Sequence, residues 1–141
     1  MKDLFLLRGL PNSGKSTIAS FLAPSATFAA DDFFETKASN EGITYEEAFK
    51  KYSHLIAVAH KNCQECCEFA MVEGYSTIAI ANTFTTMKEL KPYLDLAQRY
   101  DYRVHCLTIE RLHEGDNNHH VPDEVIVKMA KRWQFADKRM S

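Results

Sequence analysis

The chain has 141 residues, 45% hydrophobic and 26% charged, with 17 basic and 19 acidic side chains giving a net charge of −2. That is the size of about one domain, able to bury roughly two thirds of the surface its unfolded form exposes, so residues 1–141 are expected to fold as a single unit. A near-neutral charge gives no broad attraction for a polyanion. No apolar run approaches the roughly 20 residues of a membrane span, and Met1-Lys2-Asp3 leads straight into the first apolar run, so a soluble cytoplasmic protein with no membrane contact is expected.

Asp3 to Arg8, containing Leu4-Phe5-Leu6-Leu7, reads as a buried strand. Directly after it, Gly9-Leu10-Pro11-Asn12-Ser13-Gly14-Lys15-Ser16 has the spacing GxxxxGK[ST]. Glycines at those positions let the backbone curl so that successive N–H groups point inward at phosphate oxygens, with a helix N-terminus behind them. The expected ligand is a nucleoside triphosphate, ATP or GTP, with Mg2+. Gly9, Pro11, Asn12, Ser13, Gly14, Lys15, Ser16 and Thr17 would form the cradle, Lys15 bridging the outer phosphates and Ser16 holding the metal.

Lys15 to Leu22 then reads as a helix stopped by Ala23-Pro24. Ala26 to Ala30 fits a short second strand that delivers Asp31 and Asp32 at its carboxyl end, where ligands collect in open parallel sheets. Phe33 to Gly42 reads as polar and irregular. Thr44-Tyr45-Glu46-Glu47 has the form of a capping box opening a long helix to Met71. Along that helix Tyr45, Ala48, Phe49, Tyr52, Leu55, Ile56, Ala59, Cys63, Cys66 and Ala70 form one stripe suited to core packing.

Gly74 breaks the pattern, and Ser76 to Ala81 reads as a third buried strand ending at Asn82. A helix from Thr85 to about Arg99 and a fourth strand from Tyr102 to Ile109 follow. Beyond the polar stretch Glu110 to His120, Pro122 suits the first turn of a last helix carrying Val125, Ile126, Met129, Trp133 and Phe135 on one side. Strands alternating with helices indicate a parallel sheet with helices on both faces. Cys63-Gln64-Glu65-Cys66 has CxxC spacing but lies in a helical pattern without a second pair. The four cysteines therefore read as reduced thiols, and the histidines near residue 119 as loop residues rather than zinc ligands.

A triphosphate on the first loop needs an acceptor, and Asp31 lies where a carboxylate can take a proton from an incoming hydroxyl, so phosphoryl transfer is the leading chemistry. Asp31 and Asp32 would otherwise cap the segment after the second strand. Phe33 and Phe34 would either stack on a base or pack under the loop.

The series Arg8-Gly9-Leu10-Pro11, Ser13-Gly14-Lys15-Ser16-Thr17, Asp31-Asp32-Phe33-Phe34, Asn82-Thr83-Phe84 and His119-x-Val121-Pro122 resembles the polynucleotide 5′-kinase type of P-loop kinases, which includes the kinase domain of phage polynucleotide kinase. The resemblance spans nearly the whole chain. It implies a three-layer P-loop fold with strand order 2-3-1-4 and a short lid at about 110–121, which would close over bound nucleotide. It also implies transfer of the γ-phosphate to a 5′-hydroxyl, with Lys15 and Asp31 as the catalytic residues and Asp31 as general base. Asn82 replaces an aspartate of the phage enzyme. The expected lid arginine falls on Asp116, leaving Arg111, His119 and His120 as substitutes. Phe34 stands where an acceptor-phosphate arginine is expected. Asp32, Phe34 and Asn82 are thus candidates for the metal's outer surroundings or the acceptor.

Three functions fit these residues. The leading one is an ATP-dependent kinase acting on the 5′-hydroxyl of a polynucleotide. The others are a kinase for a nucleoside or other small molecule, and an ATP-binding module with little transferase activity that works through a partner. Arg8, Lys37, Lys88 and Lys91 gathered around Asp31 would favour a polymer, and scattered they would favour a small acceptor.

Overall fold

The structure, a computed structural model, describes residues 1–110 and 123–134. Leu4, Leu6 and Leu7 lie in β1 (Asp3–Arg8) and are fully buried, as a strand this apolar requires. β1 pairs in parallel with β3 (Thr77–Asn82) on one side and β4 (Arg103–Thr108) on the other. β2 (Thr27–Phe28) lies outside β3, which gives the sheet order β2-β3-β1-β4. The register sets Arg8 beside both Asn82 and Thr108 at the carboxyl edge.

Helices cover both faces. On one, Leu4, Leu6, Ile78 and Ile80 meet Cys63, Cys67, Ala70 and Met71 of α4 (Ile56–Val72) and Leu90, Tyr93 and Leu96 of α5 (Met87–Tyr100). On the other, α1 (Lys15–Leu22) and the following Ala23 press Ala19 and Ala23 against Leu7, Ala79 and Ala81. This is the three-layer P-loop arrangement and strand order expected from the sequence. α2 (Asp31–Glu41) and α3 (Tyr45–Tyr52) pack on each other beside the sheet, with Phe34, Phe49 and Tyr52 between them and Ala59 of α4 beneath.

Several boundaries differ from expectation, each for a local reason. Only Thr27 and Phe28 pair as β2, because the Ala26 N–H turns back onto Ala23 and Ala30 already has helical angles. Residues 33–41 are not irregular: they belong to α2, whose polar sequence hides Phe34 and Ala38 on one face and which Gly42 ends at φ 66°. The helix expected from Thr44 to Met71 is two helices separated by a 3-10 turn at Ser53–Leu55. The aromatic stripe of α3 must face α2 while the cysteine stripe of α4 faces the sheet, which one straight helix does not allow, and Ile56 at the break is 47% exposed. The Thr44 capping box is present, with Thr44 Oγ1 accepting the Glu47 N–H at 3.1 Å and Glu47 accepting the Thr44 N–H at 3.2 Å. The last helix, α6, runs Asp123–Lys131, so Trp133 lies past its end; the expected lid, Pro122 and Phe135 lie outside the described residues.

Arg8 is the least expected member of the interior. It is fully buried and donates to the Phe84 carbonyl through Nε at 3.1 Å and Nη2 at 2.6 Å, and also to Gln134 O. Its guanidinium lies 4.3 Å from the centre of the Trp133 ring, and its other terminal nitrogen is buried without a partner. Arg8 thus ties the end of β1 to the segment after β3 and to the segment following α6. Burial pulls its pKa down from the ordinary arginine value, with Cys106 and Glu89 opposing.

Arg8→Met is expected to lower unfolding free energy by about 2 kcal/mol, because it strips donors from buried carbonyls, and Thr44→Ala by about 1 kcal/mol through loss of the cap. Urea unfolding of the purified variants checks both values.

Candidate functional site

The loop between β1 and α1 is shaped by close approach as much as by torsion. A Cβ on Gly9 would stand 2.5 Å from Ser13 Oγ and 2.8 Å from the Ile109 carbonyl, so only glycine fits. Asn12 and Gly14 take positive φ, 65° and 94°, which turns the chain into α1. Ser13 Oγ is buried with no hydrogen-bond partner. Lys15 is 8% exposed and donates through Nζ to the neutral Leu10 carbonyl at 3.3 Å. Burial draws its amine below the ordinary lysine value, and the nearby Asp31 carboxylate works against that shift.

These features fit a polyphosphate. An orphaned hydroxyl, a desolvated ammonium and a glycine-lined bend at a helix N-terminus would each be completed by phosphate oxygens. Ser16 is exposed in the first turn of α1 and offers the hard oxygen that Mg2+ accepts alongside phosphate and water.

The adjacent acids Asp31 and Asp32 divide. Asp31, the first residue of α2, lines the same cavity as Lys15 and Ser16, and its Oδ1 accepts the Tyr45 hydroxyl at 2.7 Å. Asp32 accepts the Ala29 N–H on Oδ2 at 2.9 Å, which ties its side chain back to the residue ahead of the Ala30 N-cap. Desolvation pushes the Asp32 carboxyl above its ordinary value, the Ala29 N–H pulls it down and Asp31 adds to the rise.

Asn82, at the end of β3, is buried and lines the cavity. Its Oδ1 accepts the Ala30 N–H at 2.8 Å, and its Nδ2 donates to Cys63 Sγ at 3.8 Å. It therefore locks the start of α2, and with it Asp31, to the sheet. Burial pushes the Cys63 thiol up to about 11 and the Cys67 thiol up to about 12, so both behave as small apolar groups.

Phe34 is 2% exposed, with its ring edge-on to Phe33 at 5.2 Å and tilted against Phe49 at 5.1 Å. Packing, not a free stacking platform, is its arrangement, although it forms part of the cavity wall with Tyr45 and Phe49. Phe33 lies beneath Lys37 at 5.5 Å. Gly9, Asn12, Ser13, Gly14 and Thr17 shape the loop and do not line the cavity, whereas Pro11, Lys15 and Ser16 do. Arg111, Asp116, His119 and His120 lie outside the described residues.

Four ionisable cavity residues escaped the sequence reading: Tyr45, His60, Glu89 and Arg132. Tyr45 was absorbed into an apolar stripe, although its place inside the Thr44–Glu47 capping box was a signal of a fixed side chain. Arg132 follows the end of α6, where it donates through Nε to Thr85 Oγ1 at 3.0 Å, and Thr85 in turn donates to Glu89 at 2.8 Å. The four cations proposed as a marker of polymer binding are scattered. Arg8 is buried against Trp133, Lys37 covers Phe33 and Tyr52, Lys91 pairs with Asp95 at 3.0 Å, and Lys88 is exposed away from the cavity lining.

Among known proteins the chain is similar to human NEDD4-binding protein 2, with 35% identity over 105 residues; the match takes in 72% of this chain and 5% of that protein. The chain thus spans about a twentieth of that relative. It also shares its fold with a candidate kinase of Chloroflexus aurantiacus J-10-fl, at a TM-score of 0.61 and 15% identity over 92% of this chain and 65% of the other. The family described as AAA domain (AAA_33) matches residues 4–135, and the chain belongs to that family.

Proposed function

We propose that the chain is an ATP-dependent kinase that moves the γ-phosphate to a hydroxyl acceptor, the 5′-hydroxyl of a nucleoside, free or at the end of a polynucleotide. One observation carries this reading. The desolvated Lys15 amine and the Asp31 carboxylate line one cavity, so a phosphate-directed cation and a proton acceptor face the same space.

The proposed transfer is simple in its bookkeeping of bonds. The acceptor oxygen forms a bond to the γ-phosphorus, its proton passes to Asp31, and the bond from that phosphorus to the β–γ bridging oxygen breaks to release ADP. The loop amides and Lys15 hold the triphosphate and neutralise charge on the departing oxygen. When bound through Ser16, Mg2+ supplies further neutralisation of the phosphate oxygens. Asn82 holds the base through the start of α2.

The scattered cations and the phenylalanine at position 34 favour a small acceptor, a free nucleoside, over a long polymer. The cavity wall beside Asp31 is aromatic, formed by Phe34, Tyr45 and Phe49, and suits an uncharged ring better than a phosphate chain.

Incubation with γ-labelled ATP, Mg2+ and a panel of nucleosides and 5′-hydroxyl DNA and RNA oligomers tests the reading. Label in an acceptor that falls by about 10²- to 10⁴-fold in Asp31→Asn, with ATP affinity within about twofold, supports it. ATP bound with no acceptor labelled would favour the binding-module alternative. Lys15→Ala is expected to weaken ATP binding by about 100-fold, and titration calorimetry showing unchanged affinity would reject the phosphate cradle.

A further inference from the structure

We propose that Tyr45 is a positioning residue for the transfer: its phenolic hydroxyl holds Oδ1 of Asp31 and leaves the second carboxylate oxygen to receive the acceptor's proton. This rests on the reading of Asp31 as general base. The two groups come from different helices, Asp31 from the first turn of α2 and Tyr45 from the first turn of α3, and meet at 2.7 Å.

Tyr45 is itself fixed. The Thr44–Glu47 capping box sets the start of α3, and the Tyr45 ring packs parallel to Phe49 at 6.2 Å and edge-on to Phe34 at 6.4 Å. Those ring contacts need only a phenyl group. The hydroxyl serves neither, and it reaches the one carboxylate that lines the cavity from α2. Burial, then the Asp31 charge, pushes the Tyr45 phenol far above its ordinary value, so it donates and does not ionise. A carboxylate on a helix end rotates freely about its side-chain bonds, and restricting it to productive orientations is a recognised source of rate.

The other ionisable groups around the pair are Lys15 from α1, Asp32 and Glu35 from α2, His60 from α4, Glu89 from α5 and Arg132 after α6. Tyr45→Phe changes none of them and keeps the ring contacts.

The test uses ATP with adenosine and with a 5′-hydroxyl thymidine oligomer as probes. Tyr45→Phe is expected to lower kcat by about tenfold with the KM for ATP within about twofold, and to add nothing once Asp31 is Asn. An unchanged kcat, or an equal loss in the Asp31→Asn background, overturns the positioning role while leaving the base in place. If Asp31→Asn itself transfers normally, or neither probe is labelled, the general-base reading fails and takes the role with it.

Discussion

The register of β1 against β3 is the constraint on which the site depends. It sets Arg8 beside Asn82, so the phosphate loop that follows Arg8 and the amide that ends β3 emerge at the same level of the sheet. Asn82 accepts the Ala30 N–H and so fixes where α2 begins. A slip by one residue would turn Leu4 and Leu6 to the opposite face and carry the loop away from Asp31. Leu4 and Leu6 pack towards α4 and α5 while Leu7 packs towards α1, so burial on both faces resists that slip.

Arg8 extends the same fixing to the far side of the cavity. A buried guanidinium carries a large desolvation cost, which is tolerable only when most of its N–H groups find acceptors. Here the acceptors are backbone carbonyls at Phe84 and Gln134, with the Trp133 ring stacked on it. One arginine thereby joins β1, the segment leading into α5 and the segment after α6. That junction brings Val125, Met129 and Arg132 to the cavity shared with Lys15.

What the sequence revealed follows from which physical signals are local. β1, its glycine loop and α1 were legible to the residue, because an apolar run, a fixed glycine spacing and a proline stop each act within a few positions. The strand order followed from the family resemblance, and alternation of elements agreed with it. α2 was missed because it is too polar to show a period; its clues were Phe34 with Ala38 four residues on and the Gly42 stop. The break between α3 and α4 is a tertiary effect, imposed by two packing surfaces that one helix axis cannot serve. The site divided in the same way. The loop residues were named from spacing alone, whereas Tyr45, His60, Glu89 and Arg132 reach the cavity by helix placement that no short window of sequence encodes.

The paired acids illustrate how identical chemistry acquires two roles. At the N-terminus of α2 both Asp31 and Asp32 gain from the positive end of the helix dipole, so the dipole does not distinguish them. Direction does. Successive helical residues point about 100° apart, so when Asp32 turns back to the Ala29 N–H, Asp31 is swung towards Tyr45 and the phosphate loop. The bond from Asp32 back to the Ala29 N–H is therefore part of how Asp31 is aimed. Asn82 completes the aim from the sheet side, since it grips the Ala30 N–H immediately before Asp31. A charged aspartate at position 82 could accept that N–H equally well, but it would bring a third like charge close to Asp31 and Asp32. A neutral amide keeps the grip without that repulsion, so this departure from the phage enzyme leaves the aim of Asp31 intact.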